Sequence, residues 1–151
     1  MTTDLKTCHC SCGEVKYHIH GKPLLRGFCH CTICQKFNQA PFADITVFRL
    51  KDVDMPNAES VNYSIYRAPP AVNRGVCRKC KDPVVEFMNI PLLPKVVIVP
   101  TQVIKDKYIV PAPSLHVFYE TRIADIQDNL AKYSGYLRSQ IAFGQRIFTA
   151  L

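Results

Sequence analysis

Residues 8–20 run Cys8-His9-Cys10-Ser11-Cys12-Gly13-Glu14-Val15-Lys16-Tyr17-His18-Ile19-His20, and two patterns meet in them. Cys10 and Cys12 lie two residues apart, a spacing that on extended chain projects both sulfurs to one side. Val15, Tyr17 and Ile19 then alternate with Glu14, Lys16, His18 and His20, the period of a strand with one buried face. Gly21-Lys22-Pro23 ends the run.

The same alternation returns at Val61, Tyr63 and Ile65. Further strands are expected at 43–50, 84–87, 95–100 and 114–120. Eleven prolines cut these runs into short pieces. A short helix is expected after Cys31 and a second, weakly periodic one over 139–150, with 124–136 as an irregular segment. The expectation is a mainly β fold of short strands with one or two short helices, built as a single domain over residues 1–151.

Apolar residues make up 48% of the chain, enough for a packed core and too many for a disordered segment. No apolar run approaches the ~18 residues of a membrane span, and the first residues lack the apolar core of a secretory signal. A cytoplasmic, reducing setting is therefore expected, in which eight cysteines read as metal ligands or reactive thiols before disulfides. The formal charge of +7 raises a nucleic-acid hypothesis. Seven thiolates on two zinc ions would lower it to about +4, which suits small anions equally well, so basicity alone decides nothing.

The cysteines form three groups: Cys8, Cys10 and Cys12; Cys29, Cys31 and Cys34; Cys77 and Cys80. In the C-x-x-C pair a tight turn brings two sulfurs onto one ion about 2.3 Å from each. With Cys10 and Cys12 alongside, Cys77 and Cys80 could complete a closed tetrahedral zinc site, the structural kind. Redox chemistry at C-x-x-C is the alternative, but no βαβ pattern surrounds the pair. Cys29, Cys31 and Cys34 place three ligands within six residues and leave a fourth position for water or substrate, as in a catalytic zinc. Three thiolates make an electron-rich ion, poorly suited to acidifying water and well suited to a soft thiolate. Cys8 is expected as a free thiol, with closure of the middle clamp as the alternative.

His30, between two clamp cysteines, should point away from the metal and serve packing or hydrogen bonding, and His9 takes the same reading. His116 is expected as a satisfied core residue, with proton donation to a nascent alkoxide as the sharper alternative. Arg74, Arg78, Lys79 and Lys81 gather around the C-x-x-C pair in sequence, where they would offset a tetrathiolate or face solvent. No aromatic residue interleaves them as a base-stacking platform requires, which argues against nucleic acid.

Residues 10–17, Cys-Ser-Cys-Gly-Glu-Val-Lys-Tyr, resemble the opening C-x-C-G-x-V-x-Y motif of the glutathione-dependent formaldehyde-activating enzyme and centromere protein V family. Residues 29–36, Cys-His-Cys-Thr-Ile-Cys-Gln-Lys, resemble its C-H-C-x-x-C-x-K motif, continued by Ala40-Pro41-Phe42. Arg74 with Cys77 and Cys80 resembles its R-x-F-C-x-x-C segment, and Pro113, His116, Val117 and Phe118 its late P-x-x-H-I-F strand. The match runs in order over about residues 8–120. Departures are Lys81 where the family carries Gly, Val76 for an aromatic residue, Asn38-Gln39 for Ser-Gly, and the absence of tryptophan.

The resemblance implies a zinc-binding fold of several coiled antiparallel β-sheets. It implies a structural zinc at Cys10, Cys12, Cys77 and Cys80 and a catalytic zinc at Cys29, Cys31 and Cys34. It further implies a carbon–sulfur lyase in which glutathione adds to formaldehyde to give S-hydroxymethylglutathione. On charge alone, Lys36, Arg67 or Arg74 could hold a glutathione carboxylate. The alternative is a non-enzymatic zinc module that binds protein or nucleic acid. The partner expected is a small thiol, with no membrane association.

Overall fold

The computed structural model describes residues 5–66, 72–88 and 94–151. Strand β1 (Lys6–His9) and β2 (Lys16–Ile19) form a hairpin whose turn carries Cys10 and Cys12. Gly13 adopts φ +80° in that turn, a conformation that a Cβ would disfavour. Next come β3 (Leu25–Cys29), the helix α1 (Thr32–Asn38), β4 (Ala43–Arg49) and the two-residue β5 (Val53–Asp54). Strands β6 (Val61–Ser64), β7 (Val72–Cys77), β8 (Pro83–Met88) and β9 (Val96–Pro100) build the far half of the molecule. The chain closes with β10 (Leu115–Val117), β11 (Ala131–Lys132) and the 15-residue helix α2 (Tyr136–Ala150). Among the described residues no helix is long and apolar enough to cross a membrane.

Two sheets result: a three-stranded one in the order β1-β2-β5, and an eight-stranded one in the order β11-β10-β3-β4-β9-β8-β7-β6. The mainly β expectation holds, with two helices. Most pairings are antiparallel, but β10 runs parallel to both its neighbours, β3 and β11. After β9 the chain passes through two 3-10 turns and returns beside β3 in the same direction, a route that strand patterning alone does not reveal.

Strands β4 and β9 are interior, and their composition explains why. All five residues of β9 are buried, with Val97 and Val99 in one apolar core and Val96 and Ile98 in the other. A strand covered on both faces reads as a continuous apolar run rather than an alternating one. On one face the first core joins Phe48, Val84 and Val85 to Val15, Tyr17 and Ile19 beside the small sheet. On the other, Leu25, Ile45, Val47 and Leu115 pack with Ala142 and Ile147 of α2. Tyr63 and Val61 face inward as expected, whereas Ile65 lies past the end of β6 and is half exposed. Residues 124–136 contain only the short β11 and the first residue of α2, close to the irregular stretch expected.

A register shift between Gly75 and Val76 kinks β7 against β8 just before the second cysteine pair. Gly75 is needed there, since a Cβ would sit 2.7 Å from Val61 Cγ1 and 2.9 Å from the Tyr63 ring.

Candidate metal centres

Cys10 directly follows β1, Cys12 sits in the turn after it, Cys77 ends β7 and Cys80 lies in the turn that follows. The four sulfurs all lie within 4.8 Å of one another. Cys10 Sγ is 3.6 Å from Cys12 Sγ, which is 3.7 Å from Cys77 Sγ. A tetrahedron with 2.3 Å zinc–sulfur bonds has edges of about 3.8 Å, so the donor set has the size a zinc ion requires. Backbone amides are turned onto these sulfurs: Val15 N donates to Cys10 Sγ at 3.4 Å and Cys80 N to Cys77 Sγ at 3.5 Å. Such donors favour thiolate charge. Asp82 ties the two turns together by accepting from Ser11 N at 2.9 Å and Ser11 Oγ at 2.6 Å, and these bonds hold its carboxyl below the usual range.

Lys81 takes φ +67° as the chain leaves this turn, its N–H donating to Cys77 O at 3.0 Å. Glycine adopts this left-handed backbone freely, whereas a lysine is strained in it.

The second cluster is built from the end of β3 and the start of α1. Cys29 is the last residue of the strand, Cys31 is the N-cap of the helix, and Cys34 lies in its first turn. Cys31 Sγ accepts from Cys34 N at 3.2 Å, which closes the turn around the sulfurs. All three sulfurs lie within 4.8 Å of one another. The ionised form concentrates on Cys31. Hydrogen bonds from the Cys29 and Cys34 thiols and the charge of Arg74 pull it down to about 3, while Cys34 is pushed well above the usual range by the same neighbours. A set of three soft donors fits a zinc ion with one position left over.

His30 points to the opposite side, as expected. Its Nε2 meets His116 Nδ1 at 2.8 Å, and His116 Nε2 meets Asp128 Oδ2 at 2.7 Å. With Asp128 ionised, both protons run one way: His116 Nε2–H donates to the carboxylate and His30 Nε2–H donates to His116 Nδ1. Lys132 Nζ donates to the other carboxylate oxygen at 2.7 Å. Burial pushes the neutral His30 down to about 4. The His30 carbonyl accepts from Gln35 Nε2 and Thr121 Oγ1, both at 2.8 Å, so the peptide between two clamp cysteines is anchored on both sides. His9, in turn, meets the Cys10 carbonyl through Nδ1 at 2.8 Å.

Cys29, Cys31 and Cys34 line a cavity of about 150 Å³. Its walls carry Ile45, Val72, Met88, Ile98, Val117 and Phe143. Its charged pair is Arg74 and Glu86, separated by 2.8 Å from Nε to Oε1, an ion pair in which the Nε–H is not aimed at the oxygen. Arg74 thus lines the cavity at the three-cysteine cluster, although in sequence it stands three residues before the C-x-x-C pair. Arg78 and Lys79 are exposed around that turn, and Lys81 Nζ caps the Arg78 carbonyl at 2.7 Å. Lys36 is exposed on α1 and does not line the cavity, and Arg67 lies outside the described residues.

Cys8 joins neither cluster. It is fully buried in the first core beside Tyr17, and burial pushes its thiol up to about 12. Sequence reasoning missed Glu86, Asp128 and the contribution of α2 to the cavity. Glu86 had one signal, a single carboxylate inside the apolar run 83–88. Asp128 had none, because it lies in an irregular segment and its partner is twelve residues away on β10.

Fold and clusters define a class: a mainly β protein with two cysteine clusters able to hold metal. A model of the family described as glutathione-dependent formaldehyde-activating enzyme matches residues 5–121, and the chain belongs to that family. Among solved structures, a Rhodobacter sphaeroides protein is similar in fold, with a TM-score of 0.52 at 17% identity over 71% of this chain and 97% of that one. A search of curated proteins finds no significant match.

Proposed function

We propose that the protein is a zinc-dependent carbon–sulfur lyase that makes and breaks thiol–aldehyde adducts, with glutathione as the thiol. The observation that carries the reading is the clamp of Cys29, Cys31 and Cys34 set in the wall of a cavity, in a chain of the formaldehyde-activating family. Zinc bound there would supply a fourth position for a soft sulfur ligand and favour its deprotonated form. In the addition, the thiol sulfur bonds to the carbonyl carbon, the C=O π pair moves to oxygen, and the proton given up by the thiol ends on that oxygen. The reverse reaction breaks the same carbon–sulfur bond. Arg74 brings positive charge to the cavity, which favours the thiolate and the developing alkoxide. Its pairing with Glu86 keeps the guanidinium in place.

Cys10, Cys12, Cys77 and Cys80 are assigned to a second, structural zinc, since four protein thiolates leave no open position. The interaction-module alternative requires the clamp to close with a fourth protein thiolate, and Cys8 sits in the other core. The chain acts as one domain over 1–151 in a reducing, cytoplasmic setting. The test is cobalt substitution at both sites followed by titration with glutathione. The clamp spectrum should change with thiol and lose that response in Cys31→Ala, while the four-cysteine site stays filled. A spectrum indifferent to millimolar-range thiol would favour the module.

A further inference from the structure

Helix α2 begins at Tyr136, beyond residue 121 where the family match ends, yet Tyr136, Ser139, Gln140 and Phe143 form one wall of the cavity at the clamp. The helix is held in place from both sides. Ser139 Oγ accepts from Phe118 N at 2.8 Å, Glu120 Oε1 accepts from Gly135 N at 2.7 Å, and Ala142 and Ile147 are buried in the second core. A cavity beside the three cysteines is thus completed by a segment that lies beyond the residues the family model matches.

From this wall we infer that the aldehyde portion of the adduct carries an apolar group of about benzene size, and that α2 determines this preference. The inference rests on the thiol-adduct reading above. Size is the first support. A cavity of about 150 Å³ has the volume that takes up one benzene ring, and Ile45, Val72, Met88, Ile98, Val117 and Phe143 give it an apolar wall. The single carbon and oxygen of formaldehyde would leave most of that apolar wall uncovered.

Charge is the second support. The cavity's two charged side chains, Arg74 and Glu86, lie together, 2.8 Å apart, and the Ser139 hydroxyl is already engaged with Phe118 N and the Tyr133 carbonyl. A charged substituent lying against the apolar wall would lose its water without gaining a partner there, whereas an apolar one loses nothing. The glutathione portion, far larger than the cavity, lies outside it with its charges in solvent. The chemistry is unchanged: sulfur bonds to the carbonyl carbon, the π pair goes to oxygen, the thiol's proton follows, and no oxidant or reductant is consumed.

Two stable thioethers mimic the adducts and test the inference without turnover. S-benzylglutathione and S-methylglutathione are titrated calorimetrically into the zinc-loaded full-length protein. Burial of the ring should make the benzyl compound bind at least about tenfold more tightly. Phe143→Ala, which removes part of the α2 wall, should shrink that ratio, and Met88→Phe, which fills the cavity from β8, should abolish it; the second variant decides the case if the first does not fold. With glutathione, the ratio of kcat/KM for benzaldehyde over formaldehyde should fall in the same order. Equal or weaker binding of the benzyl compound, with glutathione still perturbing the clamp, overturns the inference and leaves the lyase reading standing. If neither compound binds and glutathione leaves the clamp unchanged, the lyase reading itself fails and the inference falls with it.

Discussion

Glu86 is a carboxyl group inside a fully buried stretch of strand, 2% exposed, with Arg74 beside it. Burial outweighs the arginine and raises it from 4.5 to about 7. A raised folded-state pKa means the folded protein keeps a proton that the unfolded chain has already lost. The stabilisation is complete below about pH 4.5 and disappears as the pH rises through about 7. Between pH 5 and 8 this amounts to roughly 2–3 kcal/mol. Glu86→Gln cannot titrate, so its stability relative to wild type should improve by about that amount between pH 5 and pH 8 in denaturant unfolding of the zinc-loaded protein. A pH-independent difference would show that Glu86 does not change ionisation on folding. Lys81 makes the opposite kind of prediction. Its φ of +67° costs about 1 kcal/mol that glycine would not pay, so Lys81→Gly should raise the melting temperature by a few degrees.

Among elements, the two cysteine turns are the joint between the sheets. The hairpin of β1 and β2 meets the β7–β8 turn through four sulfurs and through Asp82 on Ser11. Metal bonds there would join two chain segments about 65 residues apart in sequence, a cross-link that adds to the packing of Cys10 and Cys77 in the first core. In small zinc domains such a site contributes on the order of 10 kcal/mol to folding. Cys77→Ser should accordingly yield an unstable or insoluble chain with one zinc equivalent missing. A variant that melts like wild type with unchanged zinc content would refute the structural assignment. The clamp is organised differently. It is held by the bonds to the His30 carbonyl and by the row His30–His116–Asp128, none of which uses a clamp sulfur.

That contrast sets the behaviour of the whole molecule. Cys77 belongs to the core on one face of the large sheet, while Cys29 and Cys34 belong to the core on the other. Loss of metal from the clamp therefore leaves the core around the four-cysteine site packed. Mild chelation should remove about one equivalent of zinc, from the three-cysteine clamp, without a change in the circular dichroism spectrum. The second equivalent should leave only as the fold is lost. Simultaneous release of both ions with unfolding would contradict the open clamp.

The local sequence by itself determined the alternating strands at Val15–Tyr17–Ile19, the buried runs around β4, β8 and β9, the short helix after Cys31, and the grouping of cysteines by spacing. These are short-range properties, set by side-chain period and by turns of two or three residues. The parallel placement of β10, the pairing of Asp128 with His116, the transfer of Arg74 to the clamp and the closure of the cavity by α2 were decided only by the tertiary structure. Each joins residues whose proximity depends on strand order and on which face of the sheet a core covers. Neither leaves a mark on the neighbouring residues. A periodicity shows that a face is buried; only the packed chain shows what it is buried against.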